Sequence, residues 1–205
     1  LDRVFAETDN GFKTFEIATS KVKEVKIDDG GLKIVAEQCL DMLHMPLNRF
    51  TFLTDSSYCF LSGDEGMEYI LLDKKLDTHF FSLYPDLLYK GEDDTNIRLY
   101  NKLLVGKPDG EKFAAFYRHI KMLRIYNRNG EMLKELILEK PANTKSEKGR
   151  TIYYYTYPYA TDKYIYVLEN KKGAQKKLEV WSWDGTPVVR YVLNRNIDSF
   201  VVSEK

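Results

Sequence analysis

Cysteine is scarce: Cys39 and Cys59 are the only two in 205 residues. A disulfide framework is excluded, although a single bridge remains open; the preferred reading treats both as small apolar residues. Glycine and proline are also few, at 12 and 6. Charge of one sign is not in excess, because 31 Lys and Arg balance 31 Asp and Glu. Nucleic-acid binders carry a basic excess or stripe, so that class is set aside. No run approaches the roughly 18 apolar residues of a membrane helix. No signal peptide is visible, but the chain opens at Leu1 without Met, so a lost upstream segment is expected.

Chemical motifs are missing too. There is no Gly-x-Ser-x-Gly, no Walker loop and no dinucleotide fingerprint. His44, His79 and His119 do not stand at metal spacing, and neither cysteine has a Cys-x-x-Cys partner. The acidic clusters Asp64-Glu65 and Glu92-Asp93-Asp94 lack the glycine-spaced calcium pattern and read as solvated loops. No catalytic residue, metal ligand or cofactor is therefore expected.

Aromatic residues are plentiful, with fifteen Tyr and eleven Phe. Such side chains favour a pleated, half-buried surface. Strict alternation runs through Leu133–Lys140 and Leu178–Trp183, whereas Tyr164–Leu168 is bulky on both faces. Asn129-Gly130 and Asp184-Gly185 tolerate the positive φ of tight hairpins. They predict pairing of Leu123–Tyr126 with Leu133–Leu138, and of Leu178–Trp183 with Val188–Leu193.

The hairpins recur. Asp184, Asn129, Asp73 and Thr19 follow one another at about 55 residues. An apolar strand precedes each hairpin, and in three repeats a further strand stands upstream. Four antiparallel strands repeated at this interval predict an all-β chain built of β-propeller blades. A lone blade cannot bury both faces, and stacking against neighbours does so. The blades are placed at about 1–28, 45–85, 98–140 and 150–195, as one propeller domain or a part of one. Residues 197–205 either complete the first sheet, closing a ring of four, or begin a new blade of a larger ring. The larger ring is preferred. Ile34–Leu43 has helical propensity and is expected as a short helical insertion or a loop between blades. Lys140–Arg150 is polar and aperiodic, hence an exposed connection.

Leu178-Glu179-Val180-Trp181-Ser182-Trp183-Asp184-Gly185-Thr186-Pro187-Val188, with Tyr191–Leu193 and Ile197–Val202, resembles the TolB-like six-bladed propellers of Bacteroides and relatives. Met122–Glu131 is similar to the same repeat. The resemblance covers most of residues 45–205. It implies six blades and a place in the cell envelope, in the periplasm or anchored by lipid to the outer membrane. It carries no catalytic residue over.

The densest aromatic run is Tyr153-Tyr154-Tyr155-Thr156-Tyr157-Pro158-Tyr159. Alternate tyrosines there suit packing between blades. Tyrosine also joins an apolar body to a polar tip, which suits sugars and peptides. Tyr155, Tyr157 and Tyr159, with Trp181 and Trp183, are the candidate ligand surface, to which Arg118 and Arg124 could add. The function expected is a non-catalytic module binding a glycan, a peptide or a protein. The alternative is a propeller hydrolase or lyase with its site at the central channel.

Overall fold

The computed structural model describes residues 3–8, 10–16, 19–40, 50–53, 57–73, 75–88, 90–92, 94–139, 153–170 and 176–203. Sixteen strands are arranged as four sheets of four. The first sheet holds β1 (Arg3–Thr8), β2 (Gly11–Glu16), β3 (Lys21–Asp28) and β4 (Gly31–Cys39). The second holds β5 (Phe50–Phe52), β6 (Tyr58–Leu61), β7 (Met67–Leu72) and β8 (Thr78–Leu83). One helical turn, α1 (Asn96–Leu99), precedes the third sheet. That sheet holds β9 (Lys102–Gly106), β10 (Lys112–Tyr117), β11 (Lys121–Asn127) and β12 (Met132–Glu139). The fourth holds β13 (Tyr155–Ala160), β14 (Tyr164–Glu169), β15 (Lys177–Ser182) and β16 (Pro187–Val192). Each sheet is an antiparallel meander in chain order.

Local turn chemistry sets the last hairpin of each sheet. Asp73 Oδ1 accepts from the N–H of Lys75 and Asp77, at 2.7 and 3.0 Å. Asn127 Oδ1 accepts from Asn129 and Glu131 in the same way, at 2.9 and 3.0 Å. Ser182 Oγ accepts from Thr186 at 3.2 Å. Gly130 and Gly185 supply the left-handed residue, each at φ 84°. The repeat is therefore in register at Asp73, Asn127 and Ser182.

The sheets touch along their first strands: β1 meets β5, β5 meets β9, and β9 meets β13. Backbones run close there, since a Cβ on Gly106 of β9 would lie 2.2 Å from Thr51 Oγ1 of β5. The fourth strands are largely exposed. Sheets joined along one edge and splayed at the other are the blades of a β-propeller.

Side-chain alternation fills each seam. Phe113, Ala115 and Tyr117 of β10 face the second sheet, with Tyr69, Met122 and Tyr126. Ala114 and Phe116 face the fourth, with Leu123, Tyr155, Ile165, Val167 and Trp181. Phe15 and Val22 meet Tyr58, Phe60, Ile70 and Leu72 between the first two sheets.

Three expectations are corrected. Ile34–Cys39 belongs to a strand, because the β3 ladder from Lys21↔Cys39 to Asp28↔Gly31 outweighs a weak helical propensity. With β4 in place the first sheet runs to Cys39 and is four-stranded, so it does not end at 28. The pairing around Thr19 joins β2 to β3; the hairpin matching Asp73 lies at Asp28, whose Oδ1 accepts from the Gly30 N–H at 2.8 Å. Cys39 and Cys59 are both free thiols, on β4 and β6. Residues 140–150, the expected exposed connection, and His44 lie outside the described residues.

Candidate functional site

At one end of the sheets the chain passes from the fourth strand of a blade to the first strand of the next. The turns between second and third strands lie at the same end. A cleft of about 380 Å³ opens there between the second and third sheets, bounded by Leu61, Tyr84, Ile97, Arg98, Tyr100 and Asn101, with Ser62 and Thr95. Glu68 and Lys102 form part of its wall.

The rim is fixed by local bonds. Thr95 caps α1, its Oγ1 accepting from the Arg98 N–H at 3.3 Å. The Tyr100 hydroxyl accepts from the N–H of Leu87 and of Leu88, both at 3.0 Å. Asn96 is tied to Glu65, donating from its backbone N–H at 2.8 Å and from its side-chain amide at 2.7 Å. Asn101 Oδ1 is buried and has no hydrogen-bond partner among the described residues. Asn101 itself is half-buried and lines the cleft.

The cleft wall is charged. Glu68 has no exposed surface. Its carboxylate receives Lys102 Nζ, the Arg124 guanidinium and the Tyr117 hydroxyl, the last at 2.6 Å. Ser82 Oγ donates to it at 3.1 Å. Arg124 also reaches Glu135 at 2.6 Å. Lys102 Nζ lies 4.7, 4.9 and 4.8 Å from the ring centroids of Tyr69, Tyr84 and Tyr117. Burial outweighs the attraction of Glu68 and pushes the Lys102 ammonium down to about 8. Burial also raises the Tyr117 phenol, and Glu68 adds to this.

The next seam repeats this arrangement with the signs reversed. Lys121 Nζ meets Glu169 at 2.6 Å and Glu179 at 3.1 Å. Glu179 meets Arg190 at 2.8 Å. Arg124 and Glu179 stand three residues before the matching turn residues Asn127 and Ser182. Each pairs across the ladder with the fourth strand, Arg124↔Glu135 and Glu179↔Arg190. Burial works against the charged Glu169, but its bond to Lys121 prevails and holds the carboxyl below the usual range.

No protein-family model matches the chain, and no curated protein matches it in sequence. Solved structures do. AztD from Citrobacter koseri is similar over 94% of this chain and 47% of its own, with 11% identity and TM-score 0.49. A Bacteroides fragilis protein is similar over 93% and 57%, with 11% identity and TM-score 0.49. TolB from Acinetobacter baumannii is similar over 91% and 43%, with 13% identity and TM-score 0.43. The chain spans about half the length of these proteins.

The propeller separates the five expected ligand residues. Tyr155, Trp181 and Trp183 are 0%, 3% and 6% exposed and pack between the third and fourth sheets, so they present no surface to a ligand. The Trp183 indole donates to the Thr161 carbonyl at 2.9 Å. Tyr157 and Tyr159 flank a bulge in β13, where the ladder with β14 slips between Thr156 and Tyr159. Tyr157 is exposed at φ 50°, and both rings lie near Phe200 at 5.9 and 6.2 Å. Arg124 is buried in the Glu68 network, while Arg118 stacks on Tyr153 at 4.4 Å. Asp64 closes a turn, its Oδ1 accepting from the N–H of Gly66 and Met67.

The cleft and its charges went unread in the sequence. Glu68 stands 34 residues from Lys102 and 56 from Arg124. No local spacing links residues so far apart. The available signal was a glutamate inside the apolar run Met67–Leu72, where a charge needs a partner.

Proposed function

We propose that the chain is a non-catalytic ligand-binding module of a β-propeller, taking a small polar ligand in the cleft between the second and third sheets. A glycan fits this reading best. The observation that carries it is a cleft of about 380 Å³ walled by the half-buried Tyr84 and Asn101, with the exposed Thr95 at its rim. Tyrosine faces stack on sugar rings, while Thr95 and Asn101 offer polar groups to hydroxyls.

Tyr157 and Tyr159 form a second, smaller surface suited to a peptide or protein. The resemblance of residues 45–205 to TolB-like proteins supports six blades and a place in the cell envelope. The test is a glycan array and a peptide library probed with the intact protein. Asn101→Ala and Tyr84→Ala should each weaken glycan binding by about tenfold or more, the scale of one or two hydrogen bonds or a stacked ring. Glycan binding unchanged in both variants would remove the cleft from the reading.

A further inference from the structure

We propose that the cleft carries a carbonyl-reactive amine, Lys102, which condenses with small aldehydes, the open-chain forms of simple sugars among them. This rests on the cleft being the ligand site.

Four observations meet at Lys102. It lines a cleft large enough for a small aldehyde. Its Nζ is ringed by Tyr69, Tyr84 and Tyr117 at 4.7–4.9 Å, so little water solvates the ammonium. Glu68 touches Nζ and fixes its place in the cleft wall. The charged or titratable groups around it are Glu68 and Tyr69 on β7, Tyr84 beyond β8, Tyr117 on β10, Arg124 on β11 and Cys59 on β6. Among these, burial and Arg124 favour the neutral amine, and Glu68 opposes them. With the ammonium at about 8, about half of Lys102 is neutral at pH 8, against about 0.3% of an ordinary lysine. Neutral amine is the nucleophile.

The step balances without a co-reactant. The lone pair of the neutral Nζ bonds to the carbonyl carbon as the C=O π pair moves to oxygen. One nitrogen proton passes to that oxygen, giving a neutral carbinolamine. Solvent protonates the hydroxyl, the C–O bond breaks with loss of water as the nitrogen lone pair forms C=N, and the iminium returns its remaining proton to solvent. Amine plus aldehyde gives imine plus water.

The experiment treats the full chain with glycolaldehyde and cyanoborohydride, which reduces any imine to a stable amine. Peptide mass spectrometry then locates the adduct. Lys102 should label roughly tenfold or more faster than the median lysine at pH 8, with a midpoint near pH 8 in the labelling profile. Lys102→Arg should remove that adduct, and Glu68→Gln, which takes away the charge favouring the ammonium, should move the labelling midpoint to lower pH while near-ultraviolet dichroism reports an intact core. A Lys102 that labels only in urea would overturn the proposal. Methyl glycosides cannot form imines, so their binding tests the cleft independently: binding without labelling rejects the amine chemistry and keeps the cleft.

Discussion

A carboxylate in a protein interior is tolerated only while its partners stay in place. Glu68 illustrates the dependence, since Lys102, Arg124, Tyr117 and Ser82 all converge on it. Glu68→Ala would strand two buried cations. It should destabilise the chain by about 3–5 kcal/mol in urea unfolding. Loss of less than about 1 kcal/mol would show that the network is not holding the seam. Lys102 gives a pH signature with a definite sign. Its folded value, about 8, lies below the 10.5 of a free lysine. Between those values the unfolded chain holds the proton and the folded chain does not, so stability should rise with pH from about 8 toward 10. Tyr58 and Tyr126 are held up to about 12, chiefly by burial, so their contribution is lost as pH climbs from 10 through 12. Unfolding curves of the native chain and of Lys102→Met, taken from pH 7 to 10, should differ by that rising limb. Parallel curves would remove Lys102 as its source. At this scale the sequence was least legible. From the sequence Arg124 could be offered only as an addition to the ligand surface, and the fold alone brings Glu68 to it across 56 residues.

Elements were read far better, because a hairpin is written in adjacent residues. Asn129-Gly130 and Asp184-Gly185 announced their turns, and β11·β12 and β15·β16 pair as expected. β4 failed for the opposite reason. Its Ala36-Glu37-Gln38 favours a helix locally, and only the ladder to β3 decides otherwise. The turn glycines give a direct test. At φ 84° a side chain is strained, and a Cβ on Gly185 would lie 2.9 Å from Lys134 Cγ. Gly185→Ala should therefore destabilise by about 1–2 kcal/mol, read from the shift in thermal midpoint. Gly106→Val is the harsher change, because backbone and Thr51 of β5 face the added group. Overpacking of about 1–3 kcal/mol is expected. Neutral behaviour would mean that the first strands can part without loss.

At the scale of the molecule, the repeat interval was enough to give four blades, while the way they adhere was not. Apolar cores fill all three seams, and among the described residues buried charged networks stand at the second and third. The fourth sheet turns Tyr159, Tyr164, Tyr166, Leu178 and Val180 away from the third, and the segment bearing Phe200 lies against Tyr159. Val189 and Tyr191, on that same face of β16, are 40% and 52% exposed. Such a flank favours association. The chain alone should self-associate with rising concentration in sedimentation, and the pair Val189→Lys and Tyr191→Lys should reduce it. A concentration-independent monomer would count against a sticky flank.

The reversal of sign between successive seams has a further consequence. The third blade offers cations on both flanks, Lys102 and Arg124 on one and Lys121 on the other, and its neighbours answer with acids. Two copies of that blade laid side by side would set Lys121 of one against Arg124 of the next. Repeats descended from a common pattern are exposed to swapping places or piling up as identical units. Here the alternating polarity gives each position its own address and turns away a duplicate that would otherwise fit.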